Sequence, residues 1–148
     1  MTSQHPQQTS DLIFGFKKEK DVLPYFNKKF GCSAVLQKDK WATFDYYDKD
    51  NKVYGELKSR RVRKKQYDTI MIGYNKIRKG LKLIEEGYKV YLLWCFTDKL
   101  CYYELTAEFN KEWVSFNHLG RYDRGRNERQ DLAFIPVDKL KNIVRLKR

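Results

Sequence analysis

The sequence predicts an α/β domain in which a mixed central sheet is flanked by helices. Residues 88–96, YKVYLLWCF, form a continuous apolar run bounded by turns, the pattern of a central strand buried on both faces. Before it, residues 66–86 carry apolar side chains at three-four spacing, the period of an amphipathic helix. Two strand-like stretches joined by a turn-rich DKDN come earlier still. A strand, a helix and another strand in this order form a right-handed crossover between parallel neighbours, and the hairpins on either side add antiparallel ones.

The elements follow in chain order. Residues 1–10, MTSQHPQQTS, are polar and lack the basic-then-apolar build of a signal peptide, so they read as a flexible leader. Residues 11–148 read as a single domain with a basic C-terminal segment, since no repeat, low-complexity tract or Pro/Gly linker divides them. Residues 12–30 predict a helix with Phe16, Leu23, Phe26 and Phe30 on one face and Glu19 on that same face. Pro24 either bends this helix or marks a restart capped by Asp21, and Gly31 ends it.

Residues 33–48 and 52–58 are the two strands of the DKDN hairpin. In the second, Val53, Gly55 and Leu57 point one way and Tyr54, Glu56 and Lys58 the other. The helix over 66–86 presents Tyr67, Ile70, Met71, Tyr74, Ile77, Leu81 and Ile84, and Gly87 closes it. After the buried strand, TDK turns the chain into LCYYEL, its antiparallel neighbour. A short strand follows over 111–116, AFIPV is a strand or extended segment, and DKLKNIVRLKR is a final basic helix or tail.

Charge narrows the function. Thirty-one Lys and Arg oppose 19 Asp and Glu, a net of +12, and a field of that sign favours a polyanion. Nucleic acid is preferred to a lipid surface, because neither terminus shows a basic helix with a strong apolar face. No apolar run is long enough to cross a membrane as a helix. The three cysteines, Cys32, Cys95 and Cys101, are odd in number and form no CxxC pair, which favours a reduced intracellular setting over a zinc site or a disulfide framework.

The stretch FDYYDKDNKVYGELKSRR carries the chemistry. Glu56 and Lys58 share a strand face, and Asp45 lies across the hairpin. Two carboxylates brought together repel unless a cation sits between them, and hard oxygen ligands suit Mg²⁺. A lysine two residues on can orient or deprotonate an attacking water, or neutralise charge developing on a phosphate. Those are the needs of phosphodiester hydrolysis. An isolated E-x-K pair is common on solvated strands and worth little, so the surrounding element order carries the reading.

That order resembles the PD-(D/E)XK nuclease superfamily, whose core is helix, three-strand meander, helix, strand. Asp45 matches the first acid, Glu56-Leu57-Lys58 the E-x-K, and Glu19 the acid that many members carry on the first helix. DLIFGFKKEKDVLPYF, ELKSRR, YDTIMIGYNKI and VYLLWCFTDKLCYY resemble small nuclease-like proteins of phages and large DNA viruses. The resemblance covers about residues 11–106 and implies a restriction-endonuclease-like core. It implies Mg²⁺, with Mn²⁺ as a substitute, held by Asp45, Glu56 and the Leu57 carbonyl. Lys58 would then handle the water, and Glu19 would support the metal or the lysine. The superfamily's proline is absent, since Thr43-Phe44 precede Asp45, and Asp48 competes with Asp45 as the ligand. Lys76, on the second helix, stands where members often place a polar residue facing the site.

Two basic runs complete the reading. In KSRRVRKK, residues Arg60, Arg61, Arg63 and Lys64, with Lys65, form a rim suited to phosphate contact. In NHLGRYDRGRNERQ, residues Arg121, Arg124 and Arg126 lie in a loop read as a clamp on nucleic acid. Lys76 joins the nucleic-acid-binding set. The expectation is a Mg²⁺-dependent DNA endonuclease acting at an intracellular site of viral or phage DNA processing, with a homodimer as one way to cut both strands. The alternatives are a catalytically inactive nucleic-acid-binding module of the same fold and an interaction protein for an acidic partner.

Overall fold

The computed structural model describes residues 19–39, 41–119 and 129–146. Its elements in order are α1 (Glu19–Phe30), β1 (Val35–Leu36), β2 (Tyr46–Asp48), β3 (Val53–Ser59), β4 (Thr69–Gly73) and α2 (Tyr74–Glu85). Then come β5 (Lys89–Cys95), β6 (Lys99–Leu105), a 3₁₀ turn over Lys111–Trp113, β7 (Val114–Leu119), β8 (Arg129–Pro136), a second 3₁₀ turn over Val137–Lys139, and β9 (Lys141–Arg145). No helix among the described residues is long and apolar enough to cross a membrane.

Six strands form the main sheet in the order β1-β2-β3-β5-β6-β9, and every neighbour is antiparallel except β3 and β5. That parallel pair is the expected crossover, with Glu56 opposite Leu92 and Lys58 opposite Trp94. A smaller sheet, β4-β8-β7, is antiparallel throughout. The architecture is α/β with a mixed sheet and two helices, consistent with a restriction-endonuclease-like fold.

Alternation along β5 explains why the main sheet needs cover on both faces. Val90, Leu92 and Trp94 enter one core with Phe44, Ile77, Leu105 and the inner residues Ile70, Ile72, Ala133 and Ile135 of the small sheet. Tyr91, Leu93 and Cys95 enter the other, with Val22 and Phe26 of α1, Tyr46, Val53 and Leu57. Each fully buried aliphatic or aromatic side chain contributes about 1.5–3 kcal/mol relative to exposure. α1 approaches β3 closely where Gly55 lacks a side chain: a Cβ there would sit 2.6 Å from the Phe26 ring. Pro24 lies inside α1 on its exposed side and does not end it.

Four expectations change. The strand over 33–48 is two short strands, β1 and β2, so the meander is present but its first turn spans 37–45. The helix over 66–86 begins only at Tyr74. Residues 69–73 are β4, where Ile70 and Ile72 point inward and Met71 outward, a two-residue period that the helical spacing obscured. Residues 111–116 are a 3₁₀ turn followed by β7. The basic C-terminal segment is β9, the edge strand beside β6, and not a helix. There the half-buried Ile143 and Val144 pack on the α1-side core.

Candidate active site

The site forms where β3 leaves the β2–β3 hairpin under α2. Asp45 directly precedes β2, and its Oδ2 accepts the Leu57 N–H at 2.7 Å. That bond crosses from one strand to the other and fixes the carboxylate beside the Glu56-Leu57 peptide. Glu56 is buried at 4% exposure, on the face of β3 that α2 covers. Its Oε2 lies 3.5 Å from Lys58 Nζ and its Oε1 3.2 Å from Lys76 Nζ. Lys76 comes from the first turn of α2, and its ammonium also donates to the Thr43 carbonyl. It lies 5.6 Å from the Phe44 ring centroid. Both lysines keep about a third of their side chains exposed, whereas Glu56 is sealed.

These neighbours set the charge of Glu56. Burial raises its pKa most and the Asp45 charge raises it further. Lys76 and Lys58 pull it down, yet the balance lies at about 7 against an ordinary 4.5. Desolvation and a like charge therefore outweigh two ammonium groups, and the carboxyl is poised to take or lose a proton near neutrality. A cation between Asp45 and Glu56 would relieve both the burial cost and the repulsion, so the donor set fits a hard divalent ion. Among the described residues no three His, Cys, Asp or Glu side chains cluster as a ready metal cage. The candidate set is thus two carboxylates with the backbone, as the resemblance implies.

Asp48 plays a different part. It is buried at 4% exposure, and its Oδ2 accepts the Ser33 N–H at 2.6 Å and the Asn51 side-chain amide at 2.8 Å. Its Oδ1 accepts the Asn51 N–H at 3.0 Å. The Asn51 bonds lead in holding its pKa below the ordinary carboxylate value. These bonds tie the β2–β3 turn to the end of α1, so the structure favours Asp45 over Asp48 as the acid facing Glu56.

Glu19 starts α1 on the opposite face of the sheet. Its carbonyl accepts the Tyr46 hydroxyl at 2.6 Å, which pins the helix start next to the residue after Asp45. Its exposed carboxylate makes no hydrogen bond or ion pair with Asp45, Glu56 or Lys58. Burial, followed by the charges of Asp45 and Glu19, raises the pKa of the Tyr46 phenol, so both acids act on one hydroxyl. Leu57 sends its side chain into the α1-side core while its N–H holds Asp45.

The basic run divides. Arg61, Arg63 and Lys65 are exposed. Arg60 is half-buried, with its N–H on the Cys95 carbonyl at 2.9 Å and its guanidinium on Ser59 O, and burial lowers its pKa. Lys64 is a correction. It is buried at 8% exposure and its ammonium donates to Leu140 O and Asn142 Oδ1, both at 3.1 Å, so it clasps the segment before β4 to β9 and is not part of the rim. Lys76 faces the site, where its partly exposed side chain forms an ion pair with Glu56. The spacing of α2 gave its face but not its partner, which depends on how α2 lies across β3. Arg121, Arg124 and Arg126 lie outside the described residues.

A family model described as "Phage putative PDDEXK endonuclease" matches residues 16–143, and the chain belongs to that family. No curated protein and no solved structure matches the chain. The matched region contains Glu19, Asp45, Glu56, Lys58 and Lys76 together with the small sheet and all of the main sheet but the last two residues of β9.

Proposed function

We propose that this phage PDDEXK family member is a Mg²⁺-dependent DNA endonuclease that hydrolyses phosphodiester bonds at Asp45, Glu56 and Lys58. One observation carries the reading. A buried Glu56, raised in pKa by burial and by Asp45, is joined by two lysines at a single point on the sheet. A buried carboxyl whose pKa stays raised despite two lysines costs stability when ionised, and a site that retains it fits a cation and an anionic substrate.

Asp45, Glu56 and the Leu57 carbonyl would hold the ion. Bound there, Mg²⁺ supplies Lewis-acid polarisation of the phosphoryl oxygens and a lowered pKa for water. Lys58, partly exposed and 3.5 Å from Glu56, is placed to orient the attacking water or to offset charge on the phosphate in the transition state. Lys76 holds Glu56 and Thr43 together, which fixes the approach of α2 to the strand carrying the site. Arg61 and Arg63, exposed past the end of β3, are placed to neutralise phosphates of the bound strand.

The test is cleavage of linear, single-stranded, flap and four-way-junction DNA with Mg²⁺, with Mn²⁺ and with EDTA, beside a Glu56→Ala/Lys58→Ala double variant. Metal-dependent cutting that the double variant lacks supports the enzyme. Salt-sensitive binding with no cutting under any metal points instead to an inactive nucleic-acid-binding module of the same fold.

A further inference from the structure

At the C-terminal ends of β3 and β5, away from the Glu56 carboxylate, the surface sinks into a bowl of about 1060 Å³. Arg63, Lys65 and Gln66 from the segment before β4, Thr97 and Asp98 from the β5–β6 turn with Lys99 at the start of β6, and Arg145 at the end of β9 with Leu146 after it line the bowl. Four cations thus face one acid. The acid is already engaged: Asp98 Oδ1 accepts the Lys64 N–H at 2.9 Å. None of Arg63, Lys65, Lys99 and Arg145 has a carboxylate within salt-bridge distance among the described residues.

The bowl is built and not an accident of loose side chains. Its three segments are locked by backbone bonds from Thr97 N–H to Val62 O at 3.0 Å and from Leu146 N–H to Asp98 O at 2.8 Å. The buried Lys64 ammonium, on Leu140 O and Asn142, closes the same corner from beneath. Like charges held together by a rigid frame repel and favour a polyanion between them. The volume far exceeds one phosphate and suits a stretch of backbone. The seven residue steps from Glu56 to Arg63 span at most about 25 Å, less than the ~34 Å of one duplex turn.

We propose that this bowl is a second phosphate-binding site, which grips the DNA backbone within one helical turn of the bond to be cut. The proposal rests on the DNA reading above, but not on turnover. Its cations hold the strand and read no base.

The test measures duplex binding in EDTA against NaCl concentration, using the full chain with Glu56→Gln so that nothing is cut. Lys65→Ala/Lys99→Ala/Arg145→Ala in that background is expected to flatten the slope of log affinity against log salt by about 2–3, near 0.9 per lost phosphate contact. At 0.1 M salt the expected affinity loss is roughly a hundredfold. A control triple, Lys28→Ala/Lys29→Ala/Lys49→Ala, removes equal charge from the last turn of α1 and from the β2–β3 turn, outside the bowl lining, and should change the slope by less than about 1. Lys65→Ala alone, on an exposed loop, covers a folding failure of the triple and should remove about 0.9. Equal slopes for bowl and control triples, or no duplex binding by the parent, overturn the site. A flattened slope in a chain that never cuts DNA under any metal leaves the bowl standing and removes only the nuclease.

Discussion

Lys76 Nζ and Glu56 Oε1 lie 3.2 Å apart, joining the first turn of α2 to the middle of β3. The same ammonium donates to the Thr43 carbonyl, two residues before Asp45. One cation therefore ties together the helix, the strand that carries Glu56 and the segment that delivers Asp45. Removing it unbalances a carboxyl already raised to about 7 by burial and Asp45.

That balance gives a pH dependence for the metal-free protein. A folded pKa of about 7 against an ordinary 4.5 means the folded state binds the proton more tightly. The stability from protonated Glu56 is complete below 4.5 and is lost as pH rises through 7, by about 3 kcal/mol. Urea unfolding in EDTA from pH 4.5 to 8 should show this fall, and Glu56→Gln should flatten it. Lys76→Met removes a charge that lowers the pKa, so its fall should continue to higher pH than in the wild type.

Asp45 has two roles that substitutions separate. Asp45→Ala leaves the Leu57 N–H without its 2.7 Å acceptor and should cost about 1–3 kcal/mol of stability. Asp45→Asn keeps an oxygen acceptor but removes the charge, so it should fold nearly as well. It should also lower the pKa of Glu56, because the Asp45 charge raises it. Both variants should lose cleavage, with unfolding curves distinguishing them.

Asp48→Ala should do the reverse. It removes three hydrogen-bond acceptances that fasten the β2–β3 turn, so the melting temperature should drop. Because its folded pKa is depressed, the stability it adds is present above its ordinary 3.8 and lost as pH falls through the folded value. The gap in melting temperature between wild type and variant should be full at pH 7 and should narrow as pH falls below 3.8. Cleavage by Asp48→Ala at a permissive temperature should match the wild type.

Lys64→Met tests the division of the basic run. The ammonium bonds Leu140 O and Asn142 Oδ1 inside the protein, so its loss should show as a stability change of about 1–2 kcal/mol. The salt slope of DNA binding should stay that of the parent, whereas loss of an exposed neighbour such as Lys65 should reduce it by about 0.9.

The sequence makes β3, β5 and β6 of the main sheet legible, with strands also expected near β7 and β8, and leaves β4 and β9 hidden. The run over 88–96 is apolar on both faces because β5 is the middle of a covered sheet, and its crossover to β3 follows from chirality. β4 is hidden because Ile70 and Ile72 belong equally to a strand and to the helical spacing that continues through Ile77 and Leu81; length and capping do not separate them. β9 is hidden because Lys141–Arg145 is an edge strand with only Ile143 and Val144 half-buried, a pattern that composition reads as a basic tail. For the candidate site, sequence placed Glu56 and Lys58 on one face and Asp45 across the hairpin. The Glu56–Lys76 pair and the interior place of Lys64 are long-range contacts, which no local spacing encodes.

The most direct test of the central claim is single-turnover cleavage of an end-labelled DNA duplex in Mg²⁺ by wild type, Asp45→Asn, Glu56→Gln and Lys58→Met, with each variant's duplex affinity measured in EDTA. One hydrolytic centre predicts that all three variants bind within a few-fold of wild type and cut at least about a hundredfold more slowly, as expected when a positioned acid-base or charge-stabilising group is lost. A variant that binds and cuts like wild type would contradict the assignment of that residue. Undiminished cutting by Glu56→Gln would contradict the centre as a whole.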